Sequence, residues 1–70
     1  MAIERRLSNR LKEIRTAQGL TQGALAEKVG VSRKTINTVE NGVFIPSTAL
    51  ALALAETLSV TVEDLFYLDP

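Results

Sequence analysis

The sequence predicts an all-α fold, five short helices packed as one domain, with the second and third hinged at a glycine. Three observations predict it. Apolar residues return at intervals of three and four along most of the chain, which is the period of a helix. A Ser or Thr (Ser8, Thr21, Ser32, Ser47, Thr61) stands before each of the five apolar stretches, where its oxygen can accept from an otherwise unpaired backbone N–H. Gly19, Gly30 and Asn41-Gly42 then close the first three stretches. The chain reads as a single domain over residues 1–70, with an N-terminal arm at 1–7 and a C-terminal tail at 67–70.

The arm carries Arg5 and Arg6, which either reach phosphates or lie in a frayed, solvated terminus. Helix 1 is expected from the cap Ser8 to about Gln18, with Leu7, Leu11 and Ile14 at helical spacing. Helix 2 follows the cap Thr21 and turns Leu25, Ala26 and Val29 inward, Ala26 being small where a neighbouring helix crosses. Gly23 weakens its first turn, as a tolerated residue or as a place for backbone to approach a phosphate; tolerance is the preferred reading. Gly30 supplies the left-handed residue that stops helix 2.

Val31 packs inward, and Ser32 opens helix 3, which runs to about Glu40 with Ile36 and Val39 inside. Phe44 and Ile45, in the apolar VFIP loop, are expected to be half-buried, with Phe44 able to lean outward. The TALALALAETL segment after Ser47 alternates like a strand, but its length, propensity and cap make it helix 4, ending near Leu58. Leu50, Leu52, Leu54 and Leu58 spread over more than one face, so this helix is either deeply buried or part of an interface. Thr61 caps a last short helix with Val62, Leu65 and Phe66 on its apolar side, and Phe66–Leu68 adds at most one extended segment.

Composition narrows the function classes. The 70 residues contain no cysteine and no histidine, which removes disulfide and thiolate–metal frameworks and the commonest general base. No nucleophile–base set or phosphate-cradling glycine loop is evident, so no catalytic residue, metal site, cofactor or small-molecule ligand is expected and an enzyme is rejected. No apolar run approaches a membrane span and no signal peptide is evident, so a cytoplasmic protein is expected. The formal net charge of zero is uneven. Residues 1–42 hold all eight bases and four acids, a net +4, while residues 43–70 hold four acids and no base. One end is built to meet an anion.

Gln22 to Asn41 reads as a helix-turn-helix, a motif whose second helix commonly enters the DNA major groove. On helix 3, residues 33, 34, 37, 38 and 41 share one side and read Arg, Lys, Asn, Thr, Asn. Arg and Lys donate to guanine, Asn can pair with adenine, and a threonine methyl can touch that of thymine.

With those residues in place, the chain resembles the Cro and phage-repressor class of helix-turn-helix proteins, also called the xenobiotic-response-element family. The resemblance covers about residues 9–66, in NRLKEIRTAQGLTQGALAEKVGVSRKTINTVENG, then PS, then LSVTVEDLF. It implies a five-helix, lambda-repressor-like domain and a small stand-alone transcriptional regulator. On that resemblance Gln22, Ser32, Arg33, Lys34, Thr35, Asn37, Thr38 and Asn41 face DNA, and the Asn41-Gly42 backbone approaches phosphate. Arg15 and Glu40 match a buried, structural ion pair between helices 1 and 3. Ser59 stands where relatives carry glycine, and Ala49 and Ala53 stand where they carry charges.

The expected function is therefore sequence-specific binding of double-stranded DNA by a homodimeric regulator, a repressor, on a pseudo-palindromic operator. Leu50, Val62, Leu65 and Phe66 are the expected dimer surface. The alternative is a protein-interaction module, such as an antitoxin-like partner, using the apolar C-terminal half.

Overall fold

A computed structural model describes residues 4–70; the first three residues of the expected arm lie outside the described residues. Five helices form the body: α1 (Leu11–Ala17), α2 (Gln22–Val29), α3 (Arg33–Glu40), α4 (Thr48–Leu58) and α5 (Val62–Leu65). The helical fold class holds, with one addition. Strands β1 (Leu7–Asn9) and β2 (Phe66–Leu68) pair as a two-stranded antiparallel ribbon, with Leu7 opposite Leu68, Ser8 opposite Tyr67 and Asn9 opposite Phe66.

The ribbon bears out the extended segment at Phe66–Leu68 and corrects the reading of the N-terminus. Ser8 is not a helix cap: it lies in β1 and its Oγ donates to Asp69 Oδ1 at 2.8 Å. The Arg10 N–H donates to the Leu65 carbonyl and the Asp69 N–H to the Arg6 carbonyl, extending the ladder beyond both strands. Helix α1 therefore starts at Leu11, where Asn9 Oδ1 accepts the Leu11 N–H at 3.0 Å. Leu7 faces Leu68 across the ribbon instead of joining a helical stripe. The Arg10 guanidinium lies 4.2 Å from the centre of the Tyr67 ring, a cation–π contact that covers one side of the ribbon.

The remaining caps stand where the sequence places them. Thr21, Ser32, Ser47 and Thr61 accept from the N–H groups of Ala24, Thr35, Leu50 and Asp64. At α5 the bond is reciprocated, since the Thr61 N–H donates to Asp64 Oδ2 at 2.9 Å. That backbone bond, and then the Thr61 hydroxyl, hold the Asp64 carboxyl below its ordinary pKa. Gly30 ends α2 in the left-handed region (φ 86°). Ser59 ends α4 in the same region (φ 56°), the one described non-glycine residue with positive φ. A Cβ in that region crowds the backbone, so the serine carries strain that glycine would not.

The core gathers Leu11, Leu25, Ala26, Ile36, Val39, Leu54, Ala55, Leu58 and Leu65 from all five helices. Leu54, Ala55 and Leu58 put one side of α4 inside, while Leu52 on its outer side is 56% exposed. Leu65 corrects the dimer expectation. It is fully buried in the core of the monomer, whereas Val62 on the same helix is only half-buried. Ile45 (70% exposed) corrects the expectation of a half-buried side chain, while Phe44 (46%) leans outward beside the exposed Val43. Two side-chain amides tie elements together: Asn9 Nδ2 in β1 donates to the Val39 carbonyl of α3, and Gln18 Nε2 at the end of α1 to the Leu58 carbonyl of α4.

Candidate nucleic-acid interface

The site is the outer side of α3 with the first turn of α2 beside it. Ile36 and Val39 are buried against Leu25 and Ala26 of α2, and this anchors α3 with its other side in solvent. Arg33, Lys34, Asn37 and Asn41 are exposed, while Thr35 and Thr38 are half-buried. Gln22, Arg33, Lys34 and Asn37 line one shallow concavity across the hinge. The hydroxyls of this set are already engaged. Ser32 Oγ and Thr35 Oγ1 lie 2.9 Å apart, Ser32 caps the helix, and Thr38 Oγ1 donates to the Thr35 carbonyl. Ser32, Thr35 and Thr38 thus shape the helix, and Arg33, Lys34, Asn37 and Asn41 project the free polar groups.

Beneath that surface runs a continuous polar chain. Arg15 on α1 and Glu40 on α3 meet end to end, with Nε to Oε2 at 2.6 Å and Nη2 to Oε1 at 3.1 Å. Their side chains are 8% and 2% exposed. Arg15 Nη1 also donates to the Leu20 carbonyl at 2.7 Å, closing the turn between α1 and α2. The Glu40 hydrogen bond raises the Arg15 pKa against the opposing effect of burial, so the guanidinium is charged at any working pH.

Glu40 does a second job that sequence reasoning missed. Its Oε1 accepts from Gln22 Nε2 at 3.0 Å, and the same nitrogen donates to Asn37 Oδ1 at 3.1 Å. Asn41 Nδ2 donates to Asn37 Oδ1 as well, at 3.2 Å. The buried carboxylate thereby orients the half-buried Gln22 amide directly and, through it, the exposed Asn37 amide. Asn37 Oδ1 has both acceptor directions filled, so Asn37 offers only N–H donors outward, which suits guanine O6 and N7. A bidentate pairing with adenine, expected for asparagine, requires one of those internal bonds to break. Asn41 keeps its own Oδ1 and one N–H free, and Gln22 keeps Oε1.

Electrostatics favour an anion here. The one carboxylate of α3 is Glu40, which is turned inside and paired with Arg15, and among the described residues Arg33 and Lys34 make no ion pair. Among the described residues no group of His, Cys, Asp or Glu could hold a metal ion, and no helix is long and apolar enough to cross a membrane. Gly23 opens onto solvent: a Cβ there would meet only Thr21 Oγ1, at 4.0 Å, so packing does not demand glycine.

Comparison with known proteins agrees with this geometry. The helix-turn-helix family model HTH_3 matches residues 11–65. The HTH-type transcriptional regulator YgzD of Bacillus subtilis is 40% identical over 63 residues, which are 90% of this chain and 96% of that protein. Among solved structures, the restriction-modification controller protein C.AhdI from Aeromonas hydrophila superposes with a TM-score of 0.75 at 38% identity, over 79% of this chain and 83% of that one. The P22 c2 repressor protein in complex with a synthetic operator superposes with a TM-score of 0.74 at 30% identity, over 77% and 82% of the two chains.

Proposed function

Because the chain belongs to the helix-turn-helix family HTH_3, we propose that this DNA-binding transcriptional regulator acts as a homodimeric repressor, with α3 lying in the major groove of a pseudo-palindromic operator. The observation that carries the reading is the outer side of α3, where Arg33, Lys34, Asn37 and Asn41 project while Glu40 is withdrawn and neutralised. Phosphate neutralisation supplies most of the affinity and base-edge contacts the sequence preference. Lys34 and Arg33 donate to guanine edges or phosphates, and Gln22, held by Glu40, adds an acceptor at the rim. The repressor–operator complex of similar fold supports this placement and the sign of regulation.

The dimer surface moves outward from the set expected in the sequence. With Leu65 buried, the available apolar groups are Val43, Phe44, Ile45 and Leu52, together with half-buried Leu50, Val62 and Phe66. An eight-residue helix covers only a few base pairs, so two copies with α3 helices about 34–36 Å apart reach a useful site length. The protein-docking alternative is set aside, since the polar α3 surface and the matched regulators point to DNA.

A salt titration tests the function. Affinity for a random duplex should fall steeply with salt, with a log–log slope of several units. Lys34→Ala should cost about 1–3 kcal/mol at a selected operator and relax preference at one position if it reads a base. Absence of duplex binding at low salt refutes the proposal, and a monomer in sedimentation at operator-binding concentrations refutes its dimeric part.

A further inference from the structure

The C-terminal end of α3 has no backbone donor to spare. The N–H groups of Asn41, Gly42, Val43 and Phe44 donate to the carbonyls of Asn37, Val39, Thr38 and Thr38, at 3.0–3.2 Å. An anion arriving there has to be met by side chains. Residues 41–70 contain no lysine or arginine, so the cation has to come from elsewhere in the chain.

The ribbon brings one. Arg6 immediately precedes β1, and its carbonyl is held by the Asp69 N–H at 2.8 Å. Its Nη2 stands 3.8 Å from the position a Cβ would take on Gly42, which sits at φ 73° just past α3. Arg6 and Gly42 line one groove with Arg5, Leu7, Ile45 and Leu68. The other arginines near the ribbon are committed. Arg5 donates to the carbonyls of Asp69 and Leu68, and Arg10 lies over Tyr67. Among the described residues the Arg6 guanidinium makes no ion pair and no hydrogen bond. An eight-residue helix is about 12 Å long, close to the width of the major groove, so a helix seated there brings its end to the flanking phosphates.

We infer that Arg6 is a phosphodiester-binding residue, carried by the terminal ribbon to the C-terminal end of the recognition helix. This rests on the DNA reading above. The ribbon then has a role besides stability: it holds an N-terminal arginine against an element thirty-odd residues away, where the local sequence is apolar and uncharged.

The test compares wild type, Arg6→Gln and Arg6→Lys on a random-sequence duplex and on a selected operator, across a salt series. Arg6→Gln should flatten the log–log salt slope by about one unit and weaken both duplexes by the same factor. Arg6→Lys should restore most of the slope, because an ammonium also neutralises a phosphate. The melting temperature should move by less than about 4 °C, as expected of a surface substitution. An unchanged slope in Arg6→Gln, while wild type binds with the usual salt dependence, overturns the inference alone. So does a fall in melting temperature with no change in slope, which would make Arg6 a partner of the helix-end dipole. A wild-type chain that binds neither duplex overturns the DNA reading and this inference with it.

Discussion

Arg15→Ala removes three hydrogen bonds at once: two to Glu40, at 2.6 and 3.1 Å, and one to the Leu20 carbonyl at 2.7 Å. It leaves a carboxylate whose side chain is 2% exposed. Removing one partner of a buried pair costs about 3–5 kcal/mol, mostly as the penalty on the charge left behind. Gln22 Nε2 remains as one neutral donor to Glu40, so the lower half of that range is expected. A domain of this size has a total stability of roughly 4–10 kcal/mol, and the substitution consumes a large part of it. At about 4–8 °C per kcal/mol, the melting temperature should fall by at least about 12 °C. Far-UV circular dichroism, by heat and by urea, measures both quantities. The double variant Arg15→Met with Glu40→Leu should recover most of the loss, since apolar groups of similar size replace a buried pair at little cost. It should still bind DNA poorly, because Gln22 and Asn37 lose their orienting carboxylate. Wild-type melting in Arg15→Ala, or a double variant no more stable than the single one, refutes the reasoning.

Ser59→Gly should stabilise the chain by about 0.5–1 kcal/mol, as relief of the left-handed strain exceeds the added freedom of the unfolded chain; urea midpoints measure it, and a loss would mean the serine is unstrained. Gly23→Ala, at an open position in the first turn of α2, should raise stability by a few tenths to about 1 kcal/mol. If a phosphate approaches that backbone, the same variant should bind duplex more weakly, so melting and binding titrations together separate tolerance from contact. Asp64 contributes to stability through its lowered pKa. The sign follows from the direction: its contribution is fully present above the ordinary carboxylate pKa and is lost as pH falls through the lower folded value. The stability gap between wild type and Asp64→Ala should therefore narrow as melting is followed downward from about pH 5, and a gap independent of pH would show that the capping-box charge does not matter.

Much of this architecture was readable from residue types alone, because the signals are local. Thr21, Ser32, Ser47 and Thr61 cap the helices they precede, and Gly30 takes the left-handed conformation that a hinge between α2 and α3 requires. Ile36 and Val39 turn inward at helical spacing, and that orients the polar side of α3 without further information. Ser8 misled for the same reason. It has the residue type of a cap, but whether it caps a helix or pairs in a strand depends on Tyr67, nearly sixty positions away.

By itself the sequence determined the helices, their hinge and the polar strip of α3, since caps, glycines and apolar period act within a few residues of one another. Tertiary structure alone decided what the termini do, which leucines of the C-terminal half enter the core, and how the amides of Gln22 and Asn37 point. Leu65 and Leu52 are the same residue type on neighbouring helices, yet one is fully buried and the other more than half exposed. Asn37 acts as a donor only because Glu40, fixed by Arg15 from another helix, holds Gln22 against it. Arg6 reaches Gly42 only because the two ends of the chain pair. Hydrogen bonds and burial act over a few ångströms in space, and the residues that share them here lie as many as 64 positions apart in the chain.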